Sequence, residues 1–199
     1  MTPSPLLSIF LKAPRPGTVK TRLAAEVGDR HALRLYRIMV GRTLAATREA
    51  GLEASIWFAP ADAAAEMRHW LGAEWVLRPQ ASGDLGARLA AAAQMVEPGR
   101  GWLAIGADCP RLDAALLAEA GAAVAAGSLV LGPSMDGGYY LVGGRAPLPD
   151  IFRAMPWSSG QLLHATRARL SEAGVAWREL PVLRDVDTAE DARAEGLLT

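Results

Sequence analysis

The chain has almost no cysteine, since Cys109 is the only one among 199 residues. A single cysteine excludes a disulfide framework and leaves no paired-cysteine metal site. Net charge is absent as well, because 21 lysines and arginines balance 21 aspartates and glutamates. A nucleic-acid-binding module needs a net basic surface for its phosphate contacts, so this balance argues against nucleic acid as a partner.

Long apolar runs are also missing. The run near the start, Leu6 to Leu11, is far too short to span a bilayer. No basic stretch precedes it and no small-residue cleavage site follows it, as a secretory signal would require. We therefore expect a cytoplasmic protein with no membrane partner. The length of 199 residues and the apolar content of 51% predict one domain over residues 1–199.

Short apolar runs alternate with stretches of helical periodicity along most of the chain. Leu6–Leu11 is typical of a strand buried on both faces. Asp29 can cap a helix in which apolar residues recur at helical spacing and which ends near Gly51. Further strands are predicted at 52–58, 74–77, 102–106 and 129–131, and further helices at 61–71, 85–96 and 113–126. This alternation predicts an α/β fold with a mostly parallel sheet.

The regular alternation ends after Gly132. Tyr139–Val142 has the pattern of a strand that follows a Gly-Gly turn without an intervening helix, so we expect an antiparallel strand there. The remaining elements are predicted as a helix at 159–173, a strand at 176–180 and a helix at 188–197. Thr188 and Asp191 resemble a capping box at the start of the last helix.

Positive charge is concentrated in the loop after the first strand, residues 12–22, which we call the first loop. It contains four cations and no acidic residue: Lys12, Arg15, Lys20 and Arg22. Pro14, Pro16 and Gly17 restrict its path, and backbone amides at the following helix start can face an anion. Its spacing matches neither a Walker loop nor the dinucleotide fingerprint. We expect it to bind the phosphates of a nucleotide; the alternative is a solvated basic turn.

Asp108 follows the predicted strand 102–106, next to Cys109, which we expect to be buried. Ligands of open α/β sheets bind beyond the carboxyl ends of the strands, so the Asp108 carboxylate is expected in the site. Beside phosphates, such a carboxylate serves chiefly as a ligand for Mg²⁺, although a helix cap or a turn is the alternative. Asp185 and Asp187 alternate near the end of the chain. Either could complete the metal site, because alternate residues of an extended segment point the same way.

Two glycine-rich segments also follow predicted strands. Residues 80–88 are polar and turn-forming before a helix, and residues 132–140 place glycines beside a carboxylate and two phenols. Ligand binding and plain loop structure are both compatible with these patterns. The candidate binding residues are Gln80, Gly83 and Asp84 in one segment, Asp136, Gly137, Gly138 and Tyr139 in the other, and Trp157 in a later loop, where it could line a pocket.

The order of five motifs resembles a bacterial family of glycosyltransferase-A-type, nucleotide-diphospho-sugar-transferase-like proteins. The motifs are KxPxPGxVKTRL at 12–23, GDLG at 83–86, IGxDxP at 105–110, GPxxDGGYYL at 132–141 and DVDT at 185–188. Members are often described as glycosyltransferases of arsenosugar biosynthesis. The pattern is more distantly similar to 2-phospholactate and molybdenum-cofactor guanylyltransferases. Trp157-Ser158-Ser159 departs slightly from the family's usual Trp-Ser-Thr.

The resemblance implies a three-layer α/β/α fold with a mixed, mostly parallel sheet. It implies that Lys12, Lys20 and Arg22 contact the nucleotide phosphates. Residues 80–86 would lie near the base and ribose, and residues 136–140 would face the acceptor. Asp108 would hold Mg²⁺ or Mn²⁺, and the terminal Asp-Thr-x-Glu-Asp pattern selects Asp187 rather than Asp185 as the second ligand.

Two transferase reactions and one non-catalytic role remain compatible with these residues. In nucleotidyl transfer, a small-molecule acceptor attacks the α-phosphorus of a nucleoside triphosphate, and Lys20, Arg22 and a metal on Asp108 stabilise the developing charge. In glycosyl transfer the donor is a nucleotide sugar, and a diphosphate leaves with metal assistance. The cation density of the first loop favours nucleotidyl transfer, whereas the resemblance favours glycosyl transfer. On the chemistry of the loop, nucleotidyl transfer is slightly favoured and glycosyl transfer is the alternative. The third possibility is a nucleotide-binding protein without turnover.

Overall fold

The computed structural model describes residues 4–198 and contains one seven-stranded sheet. The strands are β1 (Leu6–Lys12), β2 (Glu53–Ala59), β3 (Val76–Pro79), β4 (Gly101–Ile105), β5 (Leu129–Pro133), β6 (Tyr139–Arg145) and β7 (Trp177–Glu179). Their spatial order is β3-β2-β1-β4-β6-β5-β7. Among these strands of the described residues, only β6 runs antiparallel to its neighbours, β4 and β5. The predicted α/β class with a mixed, mostly parallel sheet is confirmed.

Helices pack on both faces of this sheet. They are α1 (Thr21–Val27), α2 (Asp29–Glu49), α3 (Ala64–Leu71), α4 (Leu85–Gln94), α5 (Ala114–Ala125), α6 (Leu162–Glu172) and α7 (Ala189–Ala194). Leu7, Ile9 and Leu11 of β1 are at most 2% exposed and form one apolar cluster with side chains of α2 and α5. A separate cluster joins Trp102 and Leu131 to α4 and α6. The two clusters give the predicted three layers.

The predicted helix boundaries are wrong mainly at the amino-terminal ends. The sequence predicts a loop through Arg22, whereas α1 begins at Thr21. Asp29 does not cap α2, because Gly28 occupies the cap position and Asp29 is the first helical residue. The helix predicted from residue 159 begins only at Leu162, since the residues before it form a turn in which Gly160 has a φ of 71°.

The capping box at the last helix is confirmed. The Thr188 hydroxyl accepts a hydrogen bond from Asp191 N at 3.2 Å, and the Asp191 carboxylate accepts one from Thr188 N at 3.0 Å. Cys109 is buried, as expected, with 5% exposure. Within residues 4–198, no helix has both the length and the apolarity needed to cross a bilayer.

Candidate functional site

A cavity of about 500 Å³ opens at the sheet edge where the parallel strands end. Because β6 is antiparallel, its first residue, Tyr139, lies at this same edge. The charged and polar side chains that line the cavity come from the first loop, from α4 and from the segments after β3, β4, β5 and β7. They include Lys12, Lys20, Arg22, Gln80, Arg88, Asp108, Ser134, Asp136, Asp185 and Asp187. Gly138, Tyr139 and Trp157 also line it.

Lys20, Asp108 and Asp187 form a compact cluster, which we call the charged centre. Lys20 Nζ lies 2.8 Å from Asp108 Oδ1 and 3.0 Å from Asp187 Oδ1, and the lysine side chain is only 5% exposed. Burial acts to lower the pKa of Lys20, but attraction and hydrogen bonds from the two carboxylates outweigh it and raise that pKa above its ordinary value. The ammonium group therefore keeps its proton although it is buried.

The backbone at Lys20 is unusual. Its φ and ψ are both 49°, which is the left-handed region that a residue with a side chain rarely adopts. Such a conformation costs on the order of 1–2 kcal/mol and often marks a functional position. Here it occurs at the residue immediately before α1, where the lysine side chain reaches two carboxylates that are distant in sequence.

Tyr36 fixes the end of β1 beside the charged centre. Lys12 N donates to the Tyr36 hydroxyl at 2.9 Å, and that hydroxyl donates to Lys12 O, also at 2.9 Å. This role is not predictable from the sequence, because Tyr36 fits the apolar face of α2. No signal in the sequence distinguishes it from a core residue.

The four cations of the first loop lie in different environments, and not all of them line the cavity. Arg22 lines the cavity with a largely exposed side chain, and its Nη1 lies 3.5 Å from Asp187 Oδ2. Arg15 does not line the cavity; its Nε instead donates to Glu66 of α3 at 2.8 Å. Because Lys20 is already paired with two carboxylates, only Lys12 and Arg22 of this loop are largely available to a bound anion.

The charged centre fits a divalent metal that the substrate helps to hold. Asp108 and Asp187 both approach the Lys20 ammonium group, and their side chains are 51% and 40% exposed. In the part of the chain that the structure describes, no group of three or more His, Cys, Asp or Glu side chains could hold a metal ion by itself. Mg²⁺ commonly takes one or two protein carboxylates and completes its shell with waters and substrate phosphates. Two convergent carboxylates in an open cavity match that mode.

Gln80 and Arg88 form a hydrogen-bonded strut on the β1 and β3 side of the cavity. Gln80 Nε2 donates to Leu11 O at 3.0 Å and to Trp57 O at 2.9 Å, and its Oε1 accepts a hydrogen bond from Arg88 Nη1 at 3.2 Å. Arg88 Nε donates to Gly83 O at 3.1 Å. The strut ties the ends of β1 and β2 to α4. Arg88 was not among the predicted site residues, although it lies one turn after Asp84, near the amino-terminal end of α4.

Five residues that the sequence singled out do not line the cavity: Pro14, Gly17, Gly83, Asp84 and Gly137. Asp84 caps α4, since its Oδ1 accepts a hydrogen bond from Ala87 N at 2.8 Å. Gly137 has a φ of 83°, and a Cβ there would lie 2.1 Å from Gly160 O, so only glycine fits. The contacts of Asp84 and Gly137 therefore position the neighbouring residues that do line the cavity.

Two carboxylates, Asp136 and Asp185, line the opposite side of the cavity together with aromatic side chains; we call this side the acidic end. Asp136 Oδ1 accepts hydrogen bonds from Ser134 Oγ at 2.5 Å and from Gly138 N at 2.8 Å. Within residues 4–198 neither carboxylate forms a salt bridge. Burial, and then the nearby charge of Asp136, raise the pKa of Asp185. As the alternation predicts, both Asp185 and Asp187 enter the cavity, but only Asp187 contacts Lys20.

Trp157 connects the two sides of the cavity. Its ring meets Tyr139 edge-on with a centroid distance of 6.3 Å. On the other side it packs against α4 at Gly86, where a Cβ would lie 2.7 Å from Trp157 Nε1 and 2.2 Å from Phe152 O. The absence of a side chain at Gly86 thus makes room for the loop that carries Trp157.

Residues 43–159 match the model of a family described as "Uncharacterized protein conserved in bacteria (DUF2064)". The chain belongs to this family. The match includes Gln80, Arg88, Asp108 and the loop of Trp157, but it excludes Lys20 and Asp187. No curated protein matches the chain.

Solved structures extend the comparison over almost the whole chain. The fold is similar to a proposed nucleotide-diphospho-sugar transferase from Desulfovibrio desulfuricans G20, with 30% identity and a TM-score of 0.89 over 97% of this chain and 87% of that one. Rv0371c of Mycobacterium tuberculosis H37Rv, in complex with manganese, is 21% identical with a TM-score of 0.58 over 98% of both chains. A nucleotidyl transferase from Methanothermobacter is 18% identical with a TM-score of 0.57 over 95% of both chains. The two more distant structures show the shared fold alone.

Proposed function

We propose that the protein is a metal-dependent transferase that takes a nucleotide sugar as donor and transfers the sugar to a small-molecule acceptor. The observation that carries the proposal is the charged centre, in which Asp108 and Asp187 converge beside the cations Lys12 and Arg22. Carboxylates that can hold a metal, next to cations that line the same cavity, suit the diphosphate of an activated sugar. The description of the Desulfovibrio relative as a proposed nucleotide-diphospho-sugar transferase supports this choice.

A diphosphate agrees better with the observed contacts than a triphosphate does. The four cations of the first loop favour a triphosphate as long as all of them are counted. Arg15, however, binds Glu66 outside the cavity, and Lys20 is balanced by two carboxylates. The smaller positive charge that remains supports a ligand with fewer phosphates.

Each side chain of the site then has a distinct task. Lys12 and Arg22 bind the diphosphate, and Lys20 keeps Asp108 and Asp187 together until the substrate arrives. A Mg²⁺ or Mn²⁺ held by these carboxylates would neutralise charge on the departing diphosphate, and the manganese complex of the mycobacterial neighbour supports such a metal. Asp136 and Tyr139 face the acceptor. The related description in arsenosugar biosynthesis stays a prediction.

Nucleotidyl transfer is the second candidate, and Arg88 is the observation that favours it. This residue adds a third cation to Lys12 and Arg22 on the cavity wall, as a triphosphate would require. The distant likeness to a nucleotidyl transferase is compatible with the same reaction. The acceptor would then attack the α-phosphorus, and pyrophosphate would leave.

Ligand-induced stabilisation distinguishes the candidates. We expect a nucleotide sugar with Mg²⁺ or Mn²⁺ at about a hundred times its Kd to stabilise the protein by roughly 2.7 kcal/mol, which a thermal shift detects readily. Release of a nucleoside diphosphate on adding acceptor supports glycosyl transfer, whereas pyrophosphate release from a triphosphate supports the second candidate. A protein that responds to no nucleotide would contradict both.

Two arginines of the first loop provide a matched pair for this experiment. Arg22→Met should weaken binding of every nucleotide, because Arg22 lines the cavity, while Arg15→Met should leave binding unchanged. Isothermal titration with one nucleoside diphosphate measures both. Equal losses in the two variants would show that the cavity is not the phosphate site.

A further inference from the structure

The two loops that carry the proposed metal ligands are joined to each other next to the charged centre. Val186 directly precedes Asp187, and its backbone N donates to Asp108 O at 2.9 Å. The Val186 side chain is fully buried and belongs to one apolar cluster with Leu23 of α1 and Ala189 of α7. The position of the Asp187 loop therefore depends on how α7 is packed.

An acidic residue in the first turn of α7 binds the Asp187 loop. The Asp191 carboxylate accepts hydrogen bonds from Asp187 N at 3.3 Å and from Arg184 Nη1 at 3.0 Å, in addition to its capping contacts with Thr188. Arg184 lies three residues before Asp187. A single carboxylate thus binds this loop both before and at the residue that carries the metal ligand.

A second acidic residue, Glu195, binds the Asp108 loop. Glu195 directly follows α7, and its Oε2 accepts a hydrogen bond from Arg111 Nε at 2.7 Å. Arg111 lies three residues after Asp108. The Glu195 side chain is only 5% exposed, whereas that of Arg111 is 66% exposed. Because a buried carboxylate is costly without a partner, this ion pair anchors the Asp108 loop to the end of α7.

The two ion pairs of α7 have a common arrangement. Asp191 and Glu195 are four residues apart, so they lie on the same side of the helix, and each binds an arginine three residues from a proposed metal ligand. None of the four paired side chains lines the cavity, so none of them can contact the metal or the nucleotide directly. Contacts outside the ligand shell orient metal ligands and tune metal affinity.

On this basis, and given the proposed function, we propose that Arg111 and Glu195 are positioning residues for the metal site. Their ion pair holds the Asp108 loop at the distance from the Asp187 loop at which one divalent cation can bind both carboxylates. The pair of Arg184 and Asp191 holds the other loop to the same helix. A purely structural ion pair would affect stability alone, whereas a positioning pair also affects metal affinity in a chain that stays folded.

Binding of Mn²⁺ to the nucleotide-free protein tests the proposal, with free Mn²⁺ measured by electron paramagnetic resonance. Glu195→Met replaces the buried carboxylate with an apolar side chain of similar size and leaves only the exposed Arg111 without its partner. We expect this variant to fold and to bind Mn²⁺ roughly tenfold more weakly. Glu195→Gln should keep most of the affinity, because its amide oxygen can still accept a hydrogen bond from Arg111.

Glu53→Met is the matched control. Glu53 pairs with Arg100, which is also distant in sequence, and neither residue lines the cavity. Glu53 is the first residue of β2, so it lies at the sheet edge opposite the cavity. This variant should leave Mn²⁺ affinity unchanged. Arg111→Met removes the other partner of the proposed pair, so it should weaken Mn²⁺ binding by a factor similar to that of Glu195→Met.

Wild-type Mn²⁺ affinity in Glu195→Met, with a folded chain by circular dichroism, would overturn the proposal and leave the proposed function intact. Equal losses of affinity in Glu195→Met and Glu53→Met would also overturn it, because the loss of any ion pair would then have the same effect. If the wild-type protein binds no Mn²⁺, with or without a nucleoside diphosphate, the metal-dependent function fails together with this proposal.

Discussion

The charged centre and the acidic end differ in how their carboxylates are balanced. Asp108 and Asp187 each lie within 3.0 Å of the Lys20 ammonium group. Asp136 and Asp185 have no cationic partner among the residues that the structure describes. One pair is paired with a buried ammonium group, while the other forms no salt bridge, although Asp136 accepts hydrogen bonds from Ser134 Oγ and Gly138 N. Although the formal net charge of the chain is zero, the cavity thus contains one pair of carboxylates that is paired with a cation and another pair that is not.

The largest expected effect comes from the charged centre, through Asp108→Asn. The amide is nearly the same size but is a much weaker metal ligand, so at least about 3 kcal/mol of transition-state stabilisation should be lost. Turnover of nucleotide should fall at least about a hundredfold, as measured by product release under saturating metal. The melting temperature should also fall, because the buried Lys20 ammonium group keeps only one of its two carboxylate partners.

Asp84→Asn is the matched control for that variant. Asp84 caps α4 and does not line the cavity, and asparagine caps a helix about as well as aspartate. Both turnover and stability should remain near wild type. If Asp108→Asn keeps full activity, Asp108 does not hold a metal that turnover needs, and the proposed role of the charged centre is wrong.

A smaller effect is expected from Lys20→Met, measured as metal affinity without nucleotide. In the wild-type protein the ammonium group lies where the two carboxylates converge, so it competes with a divalent cation for them. Removing a charge of the same sign should tighten Mn²⁺ binding by about tenfold, which corresponds to only about 1.4 kcal/mol. Electron paramagnetic resonance of free Mn²⁺ reports this directly, without any turnover.

Lys12→Met serves as the control for Lys20→Met, because Lys12 lines the same cavity and forms no salt bridge within residues 4–198. It should leave Mn²⁺ affinity almost unchanged. If both variants bind Mn²⁺ like the wild type, Lys20 and the metal do not share a position.

The smallest effect concerns the acidic end and depends on pH. The pKa of Asp185 is raised, so its charged form is disfavoured in the folded state. That penalty is present at pH 7, fades as the pH falls through the raised pKa, and is gone below the ordinary value of about 3.9. Asp185→Asn should therefore stabilise the protein at pH 7, by less than about 1 kcal/mol because solvent screens a partly buried group. Melting temperatures of variant and wild type should approach each other towards pH 3.5; a constant difference would contradict the assignment.

The fold was readily predictable from the sequence because each strand is a short apolar run between turn residues. Leu7, Ile9 and Leu11 occupy a sheet buried on both faces, and such strands leave a clear pattern. Helix starts were less predictable. Thr21 begins α1 directly after Lys20, which adopts a left-handed conformation that no local propensity favours.

The candidate site was predictable where residue type and position agree. Asp108 follows β4 closely and Lys20 lies in the cationic loop after β1, and the structure brings them together. The pairing of Arg15 with Glu66 was not predictable, because Glu66 belongs to α3 and the contact depends on tertiary packing. Arg88 was missed for a related reason: its importance comes from the contact with Gln80, which only the folded chain creates.

The reversed strand β6 has a consequence for how relatives of this protein can diversify. The connection between β5 and β6, residues 134–138, is a tight turn closed by hydrogen bonds from Ser134 N to Gly138 O and from Gly137 N to Ser134 O. Insertions there would break the pairing of two central strands. In the longer stretch between β6 and α6, the backbone hydrogen bonds within residues 148–161 are local. New acceptor preferences should therefore arise by lengthening or rebuilding residues 148–161, while the hairpin beside them stays constant in length.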